Sequence, residues 1–265
     1  MSTPTTTTTT TVTRSGPEPA PAAPAAPIPF SRLLHVEWGK ATDTRSARWL
    51  IAVTGAATVL IMLAPLLARN SIDQNYSSYL QFAALALTAL LPVVAILTLT
   101  TEWTQRTVLT TFTQEPRRAR VISAKVSVAL LMAAIAIVFG GLVTAAAIGV
   151  AEASGRHVVA DLGSGGLIGF VLFVLVNILM GVAFGALLHN TAASVVLFFL
   201  LPTVFGILGR AVNSVGKWID PGTTFNWMLD GDWNGHAAGI VITALIWLVL
   251  PLSAGLVRTV RREIK

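Results

Sequence analysis

The sequence predicts an all-α, polytopic membrane protein with six transmembrane helices. Of its 265 residues, 54% are hydrophobic and 11% are charged, a balance well outside that of a soluble globular domain. A helix needs about 20 predominantly apolar residues to cross the hydrocarbon core of a bilayer, and six stretches of the chain approach that length. Most basic residues stand at the ends of these stretches, as residues that flank membrane spans do.

Residues 1–29 are predicted to form a disordered tail. A run of threonines from Thr5 to Thr11 is followed by a segment rich in proline and alanine, from Pro17 to Pro29. The threonine run has no apolar periodicity, and the second segment favours extended polyproline conformations. Because neither part can bury a hydrophobic core, we expect the transmembrane domain to cover residues 30–265.

Residues 30–43 are predicted to form an amphipathic helix in the membrane interface. Phe30, Leu33, Leu34 and Trp38 recur at helical spacing, while Arg32, His35 and Lys40 point elsewhere. The indole suits the headgroup level, because its ring is apolar and its N–H stays hydrated. The alternative is a polar extension of the first span.

The spans follow this helix and are separated by polar loops. Their approximate bounds are 49–67, 80–100, 126–150, 167–188, 192–208 and 237–257. The fifth span is the shortest, and Pro202 is expected either to kink it or to end its regular section.

The distribution of positive charge predicts that both termini are cytoplasmic. The loop between the second and third spans, within residues 102–125, carries five Lys or Arg residues, and short cytoplasmic loops retain positive charge. The segments before the first span and after the last are also basic. The longest outer loop, 209–236, contains several tryptophans, which predict an aromatic belt or, alternatively, a platform for substrate recognition.

The sequence lacks the motifs of several function classes. It has no G-x-x-x-x-G-K-[ST] phosphate loop, no H-E-x-x-H and no G-x-S-x-G. Without cysteines it has no thiolate metal site, and its four histidines are too far apart to predict a shared metal. Its basic residues form no continuous stripe with interleaved aromatics, so nucleic acid is not an expected partner. The chain is not expected to be an enzyme.

The interiors of the predicted spans contain no Asp, Glu, Lys or Arg. Ion- and proton-coupled carriers retain ionisable groups inside the membrane, where these groups bind the ion or relay the proton. The absence of such groups from the predicted spans argues against that class. Asn177 is the most polar residue near the middle of a span. We expect it to donate an interhelical hydrogen bond, with a role as substrate ligand as the alternative.

Small residues at four-residue spacing predict close helix packing in two spans. Gly141, Ala145 and Gly149 lie in the third span, and Gly181 and Gly185 lie in the fourth. Residues of this size let helix backbones approach closely in a membrane. The spacing predicts a compact bundle and identifies no partner.

Two segments of the chain carry a family resemblance. In the loop between spans two and three, the pattern consists of Glu102, Thr107, Phe112, the basic run 116–120 and Lys125. It resembles the first cytoplasmic loop of type 2 ATP-binding-cassette (ABC) exporter permeases. The Glu37-Trp38-x-Lys40 segment is similar to the interfacial connecting helix of that family. The resemblance covers the architecture from about residue 30 to the carboxyl terminus.

The resemblance implies a dimeric permease in the cytoplasmic membrane of a bacterium, built from two copies of this chain or from this chain and a related one. Its loop would contain a coupling helix that contacts a separate ABC ATPase, and ATP and Mg²⁺ would bind to that subunit. The family pattern assigns coupling to Glu102, Arg106 and Phe112. Glu102 and Arg106 are four residues apart with the acid first, so they are also expected to pair on a helix.

The same resemblance implies a substrate path between the two protomers, lined by the second and fifth spans. The residues that it points to are Phe82, Leu85, Phe198, Phe199 and Val204. A proline inside a membrane helix frees a carbonyl that needs a buried or water-lined setting. We therefore expect the helix face that carries Phe198 and Phe205, on either side of Pro202, to form an apolar gate near the dimer axis. Lipid-facing aromatics are the alternative for Phe199.

Two other function classes remain open. A membrane scaffold would use the loop to assemble a partner and would conduct nothing, and a secondary carrier would show internal repeats. For an exporter, a path lined by Phe and Leu favours an amphipathic or hydrophobic substrate.

Overall fold

The computed structural model describes residues 28–68, 72–159, 164–211 and 220–261, and no β-strand is present among them. The helices are α1 (Phe30–Thr42), α2 (Arg45–Ile61), α3 (Leu63–Leu67), α4 (Tyr76–Thr104), α5 (Val108–Gln114), α6 (Arg118–Ala153), α7 (Ser164–Leu188), α8 (Thr191–Ala211), α9 (Pro221–Asp230), α10 (Ala237–Ala244) and α11 (Leu250–Arg261). A π-helical segment, Leu245–Val249, joins α10 to α11.

Six helical stretches are long and apolar enough to cross a membrane. They are Arg45–Leu67, Tyr76–Thr104, Arg118–Ala153, Gly166–Leu188, Thr191–Gly209 and Ala237–Arg261. The predicted all-α class is therefore confirmed for the described residues, as is the presence of six helices with the length and apolarity of a membrane span. Of the predicted disordered tail, residues 1–27 lie outside the described part of the chain.

Two helices begin before the predicted bounds, and a polar side chain caps the first turn of each. The hydroxyl of Thr44 accepts a hydrogen bond from the backbone N–H of Ala47 (3.2 Å) at the start of α2. The side chain of Asn75 accepts one from the N–H of Ser78 (2.8 Å) at the start of α4. Such caps satisfy backbone donors that have no partner within the helix, so the polar residues beside each apolar stretch join the helix.

α4 and α7 pack against each other at the centre of the bundle. A Cβ added to Gly181 would lie 2.6 Å from the carbonyl oxygen of Pro92, and one added to Gly185 would lie 3.0 Å from the Cβ of Leu99. Real Cβ atoms do not approach a backbone oxygen so closely, so the two helices need glycine at Gly181. The predicted packing role of the small residues in the fourth span is confirmed.

The small residues of the third span have no such role within this chain. A Cβ added to Gly141 or Gly149 would meet no atom within 4 Å, and Ala145 is exposed. Their side of α6 also exposes the large residues Val138 and Leu142. The expectation that this stripe packs the bundle is wrong, because this side of α6 faces away from the other helices.

Two of the spans contain irregular backbone. α8 continues through Pro202, so the proline does not end a regular section. In the last span, the π-helical segment carries Trp247, which is buried and packs edge-to-face on Phe205 with ring centroids 5.3 Å apart. A π-helical turn inside an α-helix redirects the residues that follow it. The uniform helix predicted for 237–257 is therefore interrupted.

α1, α5 and the carboxyl end of α11 lie at one end of the bundle, which we call the basic end. The guanidinium of Arg118 donates to the carbonyl oxygen of Val260 (3.3 Å), and that of Arg120 donates to the carbonyl oxygen of Ile28 (2.8 Å). These contacts join the start of α6 to the end of α11 and to the residues before α1. The basic loop is thus part of the packed bundle.

α1 lies against α6 and α4. Leu33 and Ala41 are buried, Leu34 and Trp38 pack against the core, and Phe30 is exposed. The predicted helix is therefore present. Most of its apolar side packs against the other helices, and Phe30 at its start is exposed. Which part of it lies in a membrane interface remains a prediction.

At the opposite end, α9 occupies part of the long loop and packs against α7. Its Phe225 and Met228 are buried. The amide of Gln81 donates to Asp230 (2.6 Å). Partial burial and the neighbouring Asp232 carboxylate raise the pKa of Asp230, against the effect of the Gln81 hydrogen bond. Part of this loop is therefore a helix that packs against the bundle. Residues 212–219 of the loop lie outside the described part of the chain.

Candidate functional site

Four charged side chains from three helices meet at the basic end, and we call them the charge cluster. They are Glu37 and Lys40 of α1, Glu102 of α4 and Lys125 of α6. The Lys40 ammonium lies 2.7 Å from Glu37 and 2.7 Å from Glu102. The Lys125 ammonium lies 2.6 Å from Glu37 and 3.3 Å from Glu102. Each cation therefore bridges both carboxylates.

The charge cluster is largely buried and carries no net charge. The side chains of Glu37, Lys125 and Glu102 are 2%, 7% and 11% exposed, whereas that of Lys40 is 41% exposed. Buried charges are tolerated when they are paired and hydrogen-bonded. Lys125 also donates to the carbonyl oxygen of Thr98 (3.2 Å). The cluster is a closed polar network that joins α1, α4 and α6.

Lys40 is the member of the cluster that solvent reaches. Burial alone lowers the pKa of a lysine, but the hydrogen bonds and charges of Glu102 and Glu37 outweigh burial and raise the pKa of Lys40 above its ordinary value. Its ammonium therefore stays charged at every physiological pH. The cluster does not act as a pH sensor through this residue.

The predicted Glu102–Arg106 ion pair is wrong. α4 ends at Thr104, and Arg106 has a positive φ of 59°, so the two residues are not on one helix. Glu102 turns inward to Lys40 and Lys125 instead. Sequence spacing predicted a local partner, whereas both actual partners come from other helices.

α5 connects the charge cluster to the surface. Its inner side carries Val108, which is buried, and Thr111, whose hydroxyl donates to Glu102 (3.2 Å). Leu109 is 50% exposed on the outer side, together with Thr110, Thr113 and Gln114. A short amphipathic helix therefore presents one apolar side chain outward and contacts the buried network inward.

Phe112, predicted to act in coupling, has an internal partner. The guanidinium of Arg118 lies 5.1 Å from the centre of its ring, a cation–π geometry. Glu115, at the end of the loop, is buried and pairs with Arg120 (2.8 Å). These basic residues thus hold the loop in place, a role that positive charge alone did not predict.

Two surface depressions border α5. One, of about 800 Å³, lies between α1 and α5 and is lined by residues such as Arg32, Val36, Thr113 and Pro116. The other, of about 690 Å³, is rich in threonine and lies beside Lys40 and Glu102. Both depressions are lined by Val36 and Lys40 of α1 and by Thr111 and Gln114 of α5, so both open along the side of α5 that faces α1. A protein that approaches the basic end therefore meets α5 with a groove along its α1 side.

The residues predicted for the path or gate fall into two groups. Phe198 is 4% exposed and packs on Phe184, with ring centroids 6.2 Å apart, and Phe205 packs on Trp247. Both rings thus have partners within the protomer. That the helix face carrying Phe198 and Phe205 forms a gate near the dimer axis stays a prediction.

The other predicted path residues lie at or near the surface. Leu85, Phe199 and Val204 are exposed, and Phe82 is half-buried. Phe199 and Leu85 are therefore available to lipid or to a second copy. The choice between these two environments remains a prediction.

A cavity of about 260 Å³ lies beneath Phe199. It is lined by residues of α4, α7, α8 and α9, among them Thr88, Asn177, Pro202 and Asn226. The amide of Asn177 donates to the carbonyl oxygen of Phe173 (2.8 Å) in its own helix, so the expected interhelical bond is wrong. Asn177 instead adds a polar group to a cavity wall that includes Phe173, Phe198, Phe199 and Phe225.

Glu37 was not among the predicted coupling residues, and the buried position of Lys125 was not predicted from the sequence. Glu37 was available as a signal, because a carboxylate directly before Trp38 interrupts an otherwise apolar helix face.

Among the residues that the structure describes, no three His, Asp or Glu side chains are grouped to hold a metal ion. No model of a known protein family matches this chain, and no curated protein matches it either.

Proposed function

We propose that this chain is the membrane-spanning permease subunit of an ATP-driven ABC exporter of type 2, working with a separate ATPase subunit that binds ATP and Mg²⁺. The observation that carries the proposal is α5, a short amphipathic helix between the second and third spans. Its outer side exposes Leu109, and its inner side bonds to the charge cluster through Thr111. This geometry suits a helix that receives a partner and passes its movement inward.

The contacts of the cluster suggest how the movement would be transmitted. A displacement of α5 would act on Glu102 through Thr111. Glu102 is tied to Lys40 and Lys125, so the same displacement would reach α1 and α6. In this proposal, Glu102 transmits the movement from a buried position. Leu109 and the exposed Arg106 are the groups that touch the ATPase.

The surface of α8 favours a second protomer as the neighbour of the fifth span. α8 is the least buried of the six spans, and its exposed residues include Val196, Phe199 and Leu200. A second copy on this side would place two aromatic cavities next to each other. An amphipathic or hydrophobic substrate that moves outward by alternating access would suit such walls, which mix phenylalanine with Asn177 and Asn226.

The proposal requires the basic end to be cytoplasmic, and this is directly testable. The native chain has no cysteine, so single cysteines report without background. In intact cells, an impermeant thiol reagent is expected to label Ser154→Cys at the opposite end and to spare Thr113→Cys on α5. Thr113→Cys should react once the membrane is permeabilised. Labelling of Thr113→Cys in sealed cells would invert the topology and remove the docking role of α5.

The docking role of α5 is tested by placing a charge on its exposed leucine. Leu109→Asp is expected to lower the amount of ATPase subunit that copurifies with the full chain, and to lower ATP-dependent transport in proteoliposomes of the complex. Truncating or charging a central apolar contact typically costs an interface more than 1 kcal/mol, or about fivefold or more in affinity. Because Leu109 is exposed, the fold should be unaffected.

Ser154→Asp, exposed at the opposite end, is the matched control and should retain wild-type copurification and transport. Normal ATPase binding by Leu109→Asp would move the contact away from α5. A complex that hydrolyses ATP without moving any substrate would favour the scaffold. Transport driven by an ion gradient without the ATPase would favour a secondary carrier.

A further inference from the structure

A crevice of about 560 Å³ opens between α2 and α6, away from the charge cluster. It extends from the end of α1 into the spans, and α4 forms its floor. Residues that line it along its length are Trp38, Arg48, Gly55, Leu91, Met132 and Phe139. Its volume is that of a small-molecule binding site, which typically holds about 300–1,000 Å³.

The walls of the crevice are apolar over most of their length. Leu91 and Met132 are buried at its floor, and Ile135 is exposed on its α6 wall. Phe139 approaches α2 at the deep end, where a Cβ added to Gly55 would lie 3.7 Å from the ring. The crevice is therefore an open groove beside the spans, narrowed by an aromatic ring at its inner end.

The depth of the crevice is about two thirds of one leaflet of a bilayer. Arg48 and Gly55 are seven residues apart on α2, a rise of about 10 Å at about 1.5 Å per residue. Half of a hydrocarbon core that is about 30 Å thick is about 15 Å. An acyl chain that enters from the basic end would reach Phe139 near the midplane.

The mouth of the crevice is polar and positively charged. Arg48 is exposed, and its Nη2 and Nε donate to the carbonyl oxygen of Asp43 (2.6 and 3.2 Å). This contact holds the guanidinium in position. Because a guanidinium has five N–H donors, the remaining donors are available to a ligand. Trp38 also lines the crevice, and an indole favours the level of lipid headgroups.

We infer that the crevice is a binding site for one phospholipid with an anionic headgroup, from the leaflet at the basic end. One of its two acyl chains lies along Leu91 and Met132, and its phosphate group pairs with Arg48. A phospholipid suits both the apolar groove and its basic mouth. The groove within the spans excludes water and accepts an acyl chain, and a basic residue at the interface attracts an anionic lipid headgroup. The inference does not depend on the proposed export function.

Photo-crosslinking of the full-length chain tests this site. The chain is reconstituted in vesicles that contain phosphatidylglycerol with a photoreactive acyl chain, and the labelled residues are identified by mass spectrometry. Adducts are expected on the crevice walls near Gly55 and Ile135. Arg48→Glu should reduce them about fivefold or more, because a single basic residue near an anionic surface contributes about that factor. Ala52→Phe, which fills the crevice, should reduce them to a similar extent.

Matched controls separate a specific site from general contact with lipid. The control variants are Arg45→Glu and Ala56→Phe. Arg45 is exposed on the same turn of α2 as Arg48, Ala56 is exposed one turn deeper than Ala52, and neither residue lines the crevice. Both controls should keep wild-type labelling, and Arg48→Lys should retain most of it. A phosphatidylcholine probe should label the crevice less than phosphatidylglycerol does. Equal labelling by both lipids, or labelling that is unchanged in Arg48→Glu and Ala52→Phe, would overturn the inference.

Discussion

Replacing Glu37 by leucine is expected to destabilise the protein by about 3–5 kcal/mol, because removal of one partner leaves a buried charge uncompensated. The Lys125 side chain is 7% exposed, and its ammonium lies 2.6 Å from the Glu37 carboxylate. It would keep Glu102 at 3.3 Å, but two cations would then share one carboxylate. The measurement is the unfolding free energy of the purified full chain, titrated with SDS in mixed micelles.

The double variant Glu37→Leu/Lys125→Leu distinguishes pairing from packing. Replacing a whole buried ion pair with apolar residues of similar volume is often close to neutral. The double variant should therefore be more stable than either single variant, with Lys40 and Glu102 still paired. Asp43→Leu, an exposed acid directly after α1, is the matched control and should change stability by about 0.5 kcal/mol or less. Additive losses in the double variant would show that the two side chains do not form a pair.

Replacing Gly181 by alanine is expected to destabilise the bundle by about 1–3 kcal/mol, the usual cost of inserting a methyl group into a packed interior. The new Cβ would lie 2.6 Å from the carbonyl oxygen of Pro92 and 3.2 Å from its Cα. These are backbone atoms, so no side-chain rotation can relieve the overlap. α4 and α7 must move apart. SDS titration and proteolytic susceptibility report the loss.

Gly141→Ala adds the same methyl group to the neighbouring span and is the matched control. A Cβ at Gly141 would meet no atom within 4 Å, and alanine is the better helix former. Gly141→Ala should therefore retain wild-type stability. If Gly141→Ala were as damaging as Gly181→Ala, the third span would have a partner on that side. A second copy of the chain would then be the first candidate.

Several properties of this protein could be predicted from the sequence alone. The six spans follow from local requirements, since a bilayer demands both an apolar length and a backbone that satisfies its own hydrogen bonds. The same reasoning placed the polar loop between the second and third spans, within which α5 folds. Helix type and span number thus depend on residues that are neighbours in the chain.

The position of the charge cluster could not be predicted in this way. Glu37 and Lys125 are 88 residues apart, and Lys40 and Glu102 are 62 residues apart. Sequence spacing instead favoured Arg106 as the partner of Glu102, because i,i+4 pairs are the contacts that a helix pattern can predict. The end of α4 at Thr104 removed that option.

The rotation of each span about its own axis was also decided by the tertiary structure. In a soluble protein the buried side of a helix is apolar and the other side is polar, so the pattern identifies the core. In a membrane, lipid is as apolar as the core, and both sides of a span have the same composition. The sequence therefore marked Gly141 and Gly181 as equivalent, and it did not separate the environment of Phe198 from that of Phe199 by composition. Packing between distant helices buried Gly181 and Phe198 and left Gly141 and Phe199 on the outside.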